Sequence, residues 1–518
     1  MRSTFHTLET ALRSLNTQQA ALSTTGHNIA NANTKGYSRQ VVNMQTSIPI
    51  EAYGMTHSAI PGQLGTGVEF SSITRIREQF LDHQYWNENK SLGSWEVQLD
   101  TLQKLEGIVN EPSDTGLRSV LDKFWESWSI LSNNPEDITG RKLVRENAIA
   151  LANTFNLTSK QLTDLQNDLT QNIEVKATEI NDIASSIADL NKQIQKIEGF
   201  GDNANDLRDQ RDLLVDQLSK VANVTVQETP QGYDVAIGGI TLVQGQTATA
   251  IDSAVLVGAY GSGDLGSGEV YGMIKSRDGY VADYINQLNT MANTIANGDI
   301  TITLPEGSVL PDGVTLNGVS GTLTSDLTVT IKGLNELHKL GYTLSDPVQT
   351  GVDFFVAGDG SGTITAANFS LNSIIDADPN RIAASLRTED DGSGNKKVIK
   401  GNNTLATLIS QLRETKFRFQ GTGGTNSVIS NGTIDDYFTS IVGQLGVQSA
   451  EAERQQSNQQ VIVDQVDVRR QSVSGVSLDE EMANMIKFQH AYNAAARVMT
   501  TVDELLDKII NGMGVVGR

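Results

Sequence analysis

Asn28-Ile29-Ala30-Asn31-Ala32-Asn33-Thr34-Lys35-Gly36-Tyr37-Ser38-Arg39 closes an N-terminal helix and decides how the rest of the chain is organised. Ahead of it, Phe5, Leu8, Leu12, Leu15, Leu22 and Ile29 fall on one seven-residue register. Leu8, Leu15, Leu22 and Ile29 hold one seam position, and Phe5 and Leu12 the other. Such a narrow apolar stripe predicts a coiled-coil seam rather than the wider face of a globular helix. Asn tolerates left-handed backbone and Gly36 supplies it freely, so a stop and a turn are expected there.

The opposite end of the chain has the same character. Met485, Tyr492, Met499, Leu506 and Met513 keep one register, and Phe488, Ala495, Val502 and Ile509 a second, three residues on. No Pro or Gly interrupts from Leu478 to Asn511. Ser477-Leu478-Asp479-Glu480 has the form of a capping box with acids at the positive end of the dipole. Neither terminal segment offers anything else to bury its seam against. The two helices are therefore expected to pack on each other and on other copies of the chain.

A length of 518 residues allows two to four domains with separate cores. The charge balance, 39 − 61 = −22, argues against a nucleic-acid or anionic-membrane partner. Cysteine is absent, which excludes a disulfide framework, thiolate chemistry and a cysteine zinc site. No apolar run approaches a membrane span, and the N-terminus lacks the unbroken apolar core of a cleaved secretory signal.

Between the ends the pattern is nested. Residues 40–80 are broken by Gly54, Gly62, Gly65 and Gly67, with short strands such as Val68-Glu69-Phe70. Helices are expected over 76–110, from Pro112-Ser113-Asp114 to Asn133-Asn134-Pro135, from about Thr139 to Glu198, and from Asn205 to Val221. In the second of these Leu117, Leu121, Phe124, Trp128 and Leu131 lie at core spacing, and the aromatic cluster reads as packing. At 1.5 Å per residue the third would extend roughly 80–90 Å, a dimension suited to an elongated bundle. Asp206, Asp209 and Asp212, interleaved with Arg208 and Arg211, read as a solvated ion-pair face rather than a metal site. From about Ala222 alternation replaces helical periodicity: Val224-Thr225-Val226, Tyr233 to Ile237 and Ile240-Thr241-Leu242 are expected strands. This Gly-rich β region runs to about residue 400 with one expected helix, Gly279 to Ala296, and a block of short strands over 298–333. Helical pattern returns at Thr404, breaks at Gly421-Thr422-Gly423-Gly424, and resumes from Asp435 to Gln471.

Chemistry-bearing motifs are missing. No two of His6, His27, His57, His83, His338 and His490 are close enough in sequence for a local metal motif. Gly261-Ser262-Gly263-Asp264-Leu265-Gly266 matches G-x-G-x-x-G after the strand-like Val255-Leu256-Val257. Gly268 and Gly272 keep the following backbone irregular, so no dinucleotide helix is expected. Asp359-Gly360-Ser361-Gly362 lacks the terminal Glu of a calcium loop and reads as a turn. Catalytic, cofactor and metal residues are all expected to be absent.

The segment from Asn28 to Tyr37 resembles the N-terminal signature of the bacterial flagellar axial proteins, the rod, hook and hook-associated proteins. Asn28, Ala30, Asn31, Thr34, Gly36, Tyr37 and Arg39 carry it. The continuation Ser38-Arg39-Gln40 is similar to the hook-associated proteins of the first hook–filament junction rather than to hook or rod subunits. Further similarity runs through Asn205 to Asp212, Arg277-Asp278, Glu336 to Tyr342, Asp378-Pro379, Ile382 to Ser385, and Asp436-Tyr437-Phe438. It ends with Ser474 to Glu481, Gln489 to Tyr492, and Ala494 to Met499. Residues 298–333 depart from the family, interrupting what there resembles one helix joining Ile295 to Leu334, and read as an added β module on the outer surface.

The resemblance implies an α+β multidomain fold. Paired terminal coiled-coil helices (1–38 with 475–518) would line an inner tube, an elongated helical bundle (39–222 with 401–474) would surround it, and an inserted β-rich domain (223–400) would face outward. It implies a secreted, non-enzymatic adaptor joining the flagellar hook to the filament, exported unfolded by the flagellar type III apparatus behind an uncleaved N-terminus. The implied partners are hook protein, the second hook–filament junction protein, copies of the chain, and an export chaperone on the C-terminal helix. Phe5, Leu8, Leu12, Leu15, Leu22, Ile29, Met485, Phe488, Tyr492, Met499, Val502, Leu506 and Ile509 are the expected assembly interface. Ordering two long terminal helices costs at least as much as one narrow seam returns, so an isolated pair is expected to fray before assembly. The alternatives are another axial subunit of hook or rod type, or a secreted surface protein whose β region binds or cleaves a ligand.

Overall fold

The computed structural model describes residues 5–49, 65–110, 113, 116–390, 392, 396–421 and 427–512. The turn glycines Gly54 and Gly62, Pro112 with Asp114, the run Thr422-Gly423-Gly424, and Met513 lie outside the described residues.

In chain order, α1 (His6–Ala30) leads into the strands β1 (Gln40–Thr46) and β2 (Val68–Arg75). Four helices follow: α2 (Gln79–Val109), α3 (Leu117–Asn133), α4 (Ile138–Glu198) and α5 (Asn205–Val221). A four-stranded antiparallel meander comes next, β3 (Val224–Thr229), β4 (Gly232–Ile237), β5 (Ile240–Gln244) and β6 (Thr247–Ala248), in the order β3-β4-β5-β6. Then come α6 (Ser253–Ser262), α7 (Glu269–Lys275), a π-helical turn over Ser276–Val281, and α8 (Ala282–Asn297). Beyond them lie β7 (Asp299–Leu304), β8 (Leu327–Lys332), α9 (Gly333–Lys339), β9 (Phe355–Ala357), β10 (Phe369–Leu371) and α10 (Ser373–Ala377). The chain continues through β11 (Thr388–Asp390), β12 (Lys396–Val398), α11 (Thr404–Gln411), β13 (Phe417–Arg418) and β14 (Asn431–Gly432). It closes with the long helices α12 (Ile434–Ser474) and α13 (Leu478–Gly512).

The long helices stand where periodicity puts them. The 61 residues of α4 form one helix. Phe155, Leu162, Leu169, Ile173, Ile180, Ile187 and Ile194 are buried along it, and Leu190 and Ile197 of the expected register are not. Lys176 breaks that register because it pairs with Glu179 and Glu269, each at 2.7 Å.

The β region is less purely β than its sequence predicts. Val255-Leu256-Val257 is not a strand but the heart of α6, whose N-cap Asp252 accepts a hydrogen bond from Val255 N–H at 2.9 Å. That capping bond outweighs the strand preference of two valines in a ten-residue helix. The expected lone helix at 279–296 begins earlier, at Glu269, and α9 and α10 add further turns.

Two compact units divide the chain. The first comprises 1–94, 174–271 and 457–518; the second comprises 95–173 and 272–456. The boundaries fall within α2, α4, α7 and α12, and residues 223–400 are shared between the units. The first unit's core holds Leu81, Trp86, Ile180, Ile187, Val215, Leu218, Val235, Ile237 and Val466. The second is built on an aromatic cluster, in which Trp128 and Phe354 lie 5.4 Å apart and Phe355 stacks on Phe369 at 4.2 Å. Phe124 and Trp128 are fully enclosed there, so the cluster is packing.

Residues 298–333 form a hairpin-based insert. β7 and β8 pair from Asp299↔Lys332 to Leu304↔Leu327. The sheet extends through β13 and β14 in the order β14-β13-β7-β8, so the insert is bonded to the later chain as well. Its two ends meet, the Gly333 N–H donating to the Gly298 carbonyl at 2.6 Å. Helix α8 thus stops and α9 starts at one point in space, as an insertion between two helical segments requires.

Candidate assembly interface

The two chain ends meet within the first unit. α1 and α13 pack on each other along their lengths. Asn28, near the end of α1, bonds Glu481, near the start of α13, so the helices run antiparallel.

On α13 the face carrying Met485, Phe488, Tyr492, Met499, Val502 and Leu506 is half-buried, and Ala495 is buried. Ile509 of that register is exposed. On α1, Leu8, Leu15, Leu22 and Ile29 are half-buried, but Phe5 and Leu12 are 58% and 47% exposed. The fully buried side chains of α1 are Ala11, Thr17, Ala21, Thr24, Thr25 and Asn28, a small and polar face. The reason is a neighbour that periodicity does not reveal. The β1–β2 hairpin lies against α1, with Thr17 Oγ1 bonding the Val68 carbonyl at 3.3 Å and Gly67 backed onto Thr10. Small residues let the strands approach the helix closely.

With both neighbours in place, a set of large apolar side chains still faces solvent. It includes Phe5, Leu12, Met482, Ile486, Val498, Leu505, Ile509 and Ile510. Exposed large apolar side chains in this number on two terminal helices suit surfaces that a partner covers.

The signature segment folds back as a polar knot at the root of the pair. Asn28 uses its whole amide: Nδ2 donates to the Gln40 carbonyl (2.9 Å) and to Glu481 Oε2 (3.0 Å). Its Oδ1 accepts from Tyr37 Oη (2.7 Å) and Gln40 N–H (3.0 Å). Arg39 donates from Nε to Glu481 Oε1 at 2.8 Å and pairs with Glu480 at 3.0 Å. The Glu480 N–H lies 3.5 Å from Ser477 Oγ, while its carboxylate is turned to Arg39, so only half of the expected capping box forms. Gly36 sits at φ +82°, as the turn demands, with Leu213 against its α-carbon. Asn31 caps α1 through the His27 carbonyl and accepts from Thr34 Oγ1 at 3.1 Å, whereas Ala30 is exposed. Burial and the charges of Asp206, Asp209 and Glu481 raise the Tyr37 pKa and keep the phenol protonated as a donor.

Beneath the knot, α5 departs from its expected solvated face. Asp209, Asp212, Asp216 and Arg211 are buried; Asp206 remains half-exposed beside His27. Arg75 Nη1 reaches Asp209 at 2.8 Å and Asp212 at 2.6 Å. Arg77 grips Asp82 with two bonds of 2.7 and 2.9 Å and lies 3.4 Å from Asp212. Arg470 of α12 bonds Asp216 at 2.7 Å, and Trp86 Nε1 donates to the same carboxylate. Asp209 Oδ2 accepts from Ser38 N–H at 2.8 Å, which joins this network to the knot. Burial pushes the Asp212 carboxyl up, but Arg77, Arg75 and Arg211 hold it below the usual range and ionised. Spacings of three and four along α5 already place Asp209, Asp212 and Asp216 on one face; the matching Arg75 and Arg77 lie far away in sequence.

Among the described residues no group of three His, Asp or Glu is placed to hold a metal ion, and no helix is long and apolar enough to cross a membrane. His338 is enclosed, its Nδ1 against the Val352 carbonyl (2.6 Å) and its Nε2 accepting from Ala383 N–H (2.8 Å). The G-x-G-x-x-G run closes α6 through left-handed Gly263 and opens no phosphate-binding helix. The Asp359 loop is a turn, with Asp359 accepting from Ser361 N–H and from Asn368.

Comparisons with known proteins agree along the chain. Residues 102–298 match the family described as "Flagellar hook-associated protein FlgK helical domain". Residues 8–37 match "Flagella basal body rod protein", and 470–512 match "Flagellar basal body rod FlgEFG protein C-terminal". The chain is 37% identical over 544 residues to flagellar hook-associated protein 1 of Bacillus subtilis, covering 100% of both. It is 26% identical over 558 residues to flagellar hook-associated protein 1 of Salmonella typhimurium, covering 97% of this chain and 98% of the relative. The solved structure of the flagellar hook junction protein FlgK from Burkholderia pseudomallei aligns with a TM-score of 0.49 at 15% identity, covering 77% of this chain and 100% of that one.

Proposed function

The chain belongs to the flagellar hook-associated protein 1 family, and from that premise we propose that it is the structural adaptor joining the flagellar hook to the filament, working without catalysis. The observation that carries this reading is the antiparallel pairing of the chain's two ends, which leaves Phe5, Leu12, Met482, Ile486, Val498, Leu505 and Ile509 uncovered. Burying a large apolar side chain gains about 1.5–3 kcal/mol. Copies of the chain, hook protein below and the second junction protein above would each cover part of this surface and close it into an inner tube. Leu8, Leu15, Leu22 and Ile29 on α1, with Met485 to Leu506 on α13, hold the pair itself together.

Export completes the proposal. The chain leaves the cell unfolded through the flagellar type III apparatus and folds at the hook tip, on the outer side of the cell. The absence of cysteine suits threading, since no cross-link has to be undone. Before export, a chaperone would shield the seam of α13, with Met485, Phe488, Tyr492, Met499 and Val502 as its contacts. In the free chain the two terminal helices would exchange amide protons faster than α4 or α5.

Microscopy of a strain lacking this chain tests the reading: hooks without filaments are expected, and normal filaments would refute it. Truncations removing 1–30 or 480–518 should reproduce the deletion phenotype while the second unit stays folded by hydrogen exchange.

A further inference from the structure

We infer that the buried knot of Asn28, Arg39 and Glu481 sets the register in which the two chain ends pair, making Glu481 a positioning residue for assembly. This rests on the pair being the assembly element.

The seam alone specifies alignment poorly. Leu8, Leu15, Leu22 and Ile29 repeat every seven residues, and so do Met485, Tyr492, Met499 and Leu506. Sliding one helix past the other by a heptad, about 10 Å at 1.5 Å per residue, replaces apolar contacts with apolar contacts. Most of these side chains are only half-buried, so the penalty for a slip is spread thinly.

The knot is not repetitive. Glu481 is 2% exposed, and both of its oxygens are used, by Asn28 Nδ2 and Arg39 Nε. A one-heptad slip that carries α13 toward the end of α1 puts Phe488 opposite Asn28. It also strips the Glu481 carboxylate of the amide that faces it. Leaving a buried carboxylate short of partners costs far more than exchanging one leucine contact for another. A polar residue inside a heptad seam is a well-attested way to fix register.

The knot also lies where it has most leverage. The Arg39 N–H donates to the Ser474 carbonyl at 2.8 Å, pinning the chain just before the three-residue link into α13. Glu481 pins it just after the link. The two fixings together determine where α13 starts along α1 and which face it turns toward it.

The chain has no cysteine, so a pair introduced on the exposed positions Ser23 and Lys487 carries spin labels without background. In the full-length protein a single label–label distance is expected, because Ser23 and Lys487 sit near the knotted root of the pair and away from its fraying ends. Glu481→Leu should keep a cooperative melt yet split the distribution, the second population arising from an axial slip of about 10 Å, one heptad. Glu481→Gln, which keeps the hydrogen-bonding shape, should restore the single distance. Should Glu481→Leu fail to fold, Arg39→Gln removes the clamp from the more exposed partner and should still broaden the distribution. An unchanged single distance in a folded Glu481→Leu chain, or in Arg39→Gln if that is the one that folds, overturns the inference. The distance is read on the purified chain, so it does not depend on filament growth. Split distances in a strain that still builds filaments would refute the assembly role and leave the register role standing.

Discussion

Replacing Asp212 by Asn removes one charge from the network under the knot while keeping the side chain's volume. Asp212 is 2% exposed, 2.6 Å from Arg75 and 3.4 Å from Arg77, and both arginines are themselves largely buried. Arg75 retains Asp209 and Arg77 retains Asp82, so neither cation is wholly abandoned. Losing one member of a buried ion pair generally costs about 3–5 kcal/mol, because the surviving charge stays desolvated. A loss of about 3 kcal/mol, the lower end of that range, is expected for the first unit. Urea denaturation followed by circular dichroism measures it, with hydrogen exchange on α5 assigning the change to that unit. Adding Arg75→Met to Asp212→Asn should recover part of the loss, since both halves of the pair then go. A loss below about 1 kcal/mol, the range of an exposed pair, would show that the network is effectively solvated and the reasoning wrong.

Three further outcomes are expected. Burial pushes the His338 pKa from 6.5 down to about 4, against the pull of its bond to Val352. The neutral ring therefore stabilises the fold fully above the unfolded value of 6.5, and that stability falls by about 3 kcal/mol as pH drops toward 4; denaturation of His338→Gln across this range should lack the slope. Gly36→Ala places a methyl group 3.1 Å from Leu213 Cβ in a left-handed turn at φ +82°, at a cost of about 1–2 kcal/mol, read as a lowered melting midpoint. Excising 299–332 joins ends already 2.6 Å apart; the shortened chain should fold and support filaments, and loss of both would mean the insert is integral to the second unit.

Periodicity made the long helices legible, because an apolar stripe repeats whatever it faces. On α13 the expected register is half-buried or buried apart from exposed Ile509, with Met513 outside the described residues, and on α1 the expected register is not the most buried face. There the leucines are only half-covered, and Thr17, Ala21, Thr24 and Asn28 take the buried face against the β1–β2 hairpin. A hairpin closed between residues 40 and 75 leaves no mark on the helix except that its contact residues are small and polar, a pattern that also describes a solvated face. The same ambiguity hid the buried aspartates of α5. Charged side chains at helical spacing mean solvent unless partners are known, and Arg75, Arg77 and Arg470 come from other segments. Local sequence likewise misled at Val255-Leu256-Val257, where a single aspartate cap decides for helix. The signature from Asn28 to Arg39 was visible as a motif; its chemistry emerged only once Glu481 was brought beside it.

One consequence concerns time. The first unit draws on residues 1–94, 174–271 and 457–518, and while Arg75 and Arg77 meet their aspartates within the first two segments, other buried links close only when the last is present. Asp216 waits for Arg470, and Asn28 waits for Glu481. Were the chain exported head-first, as proposed above, these links would stay open until its tail arrives, and closing loops of this size is intrinsically slow. Premature collapse of that half would thereby be discouraged by connectivity itself, and the chain would remain pliable through nearly its whole passage.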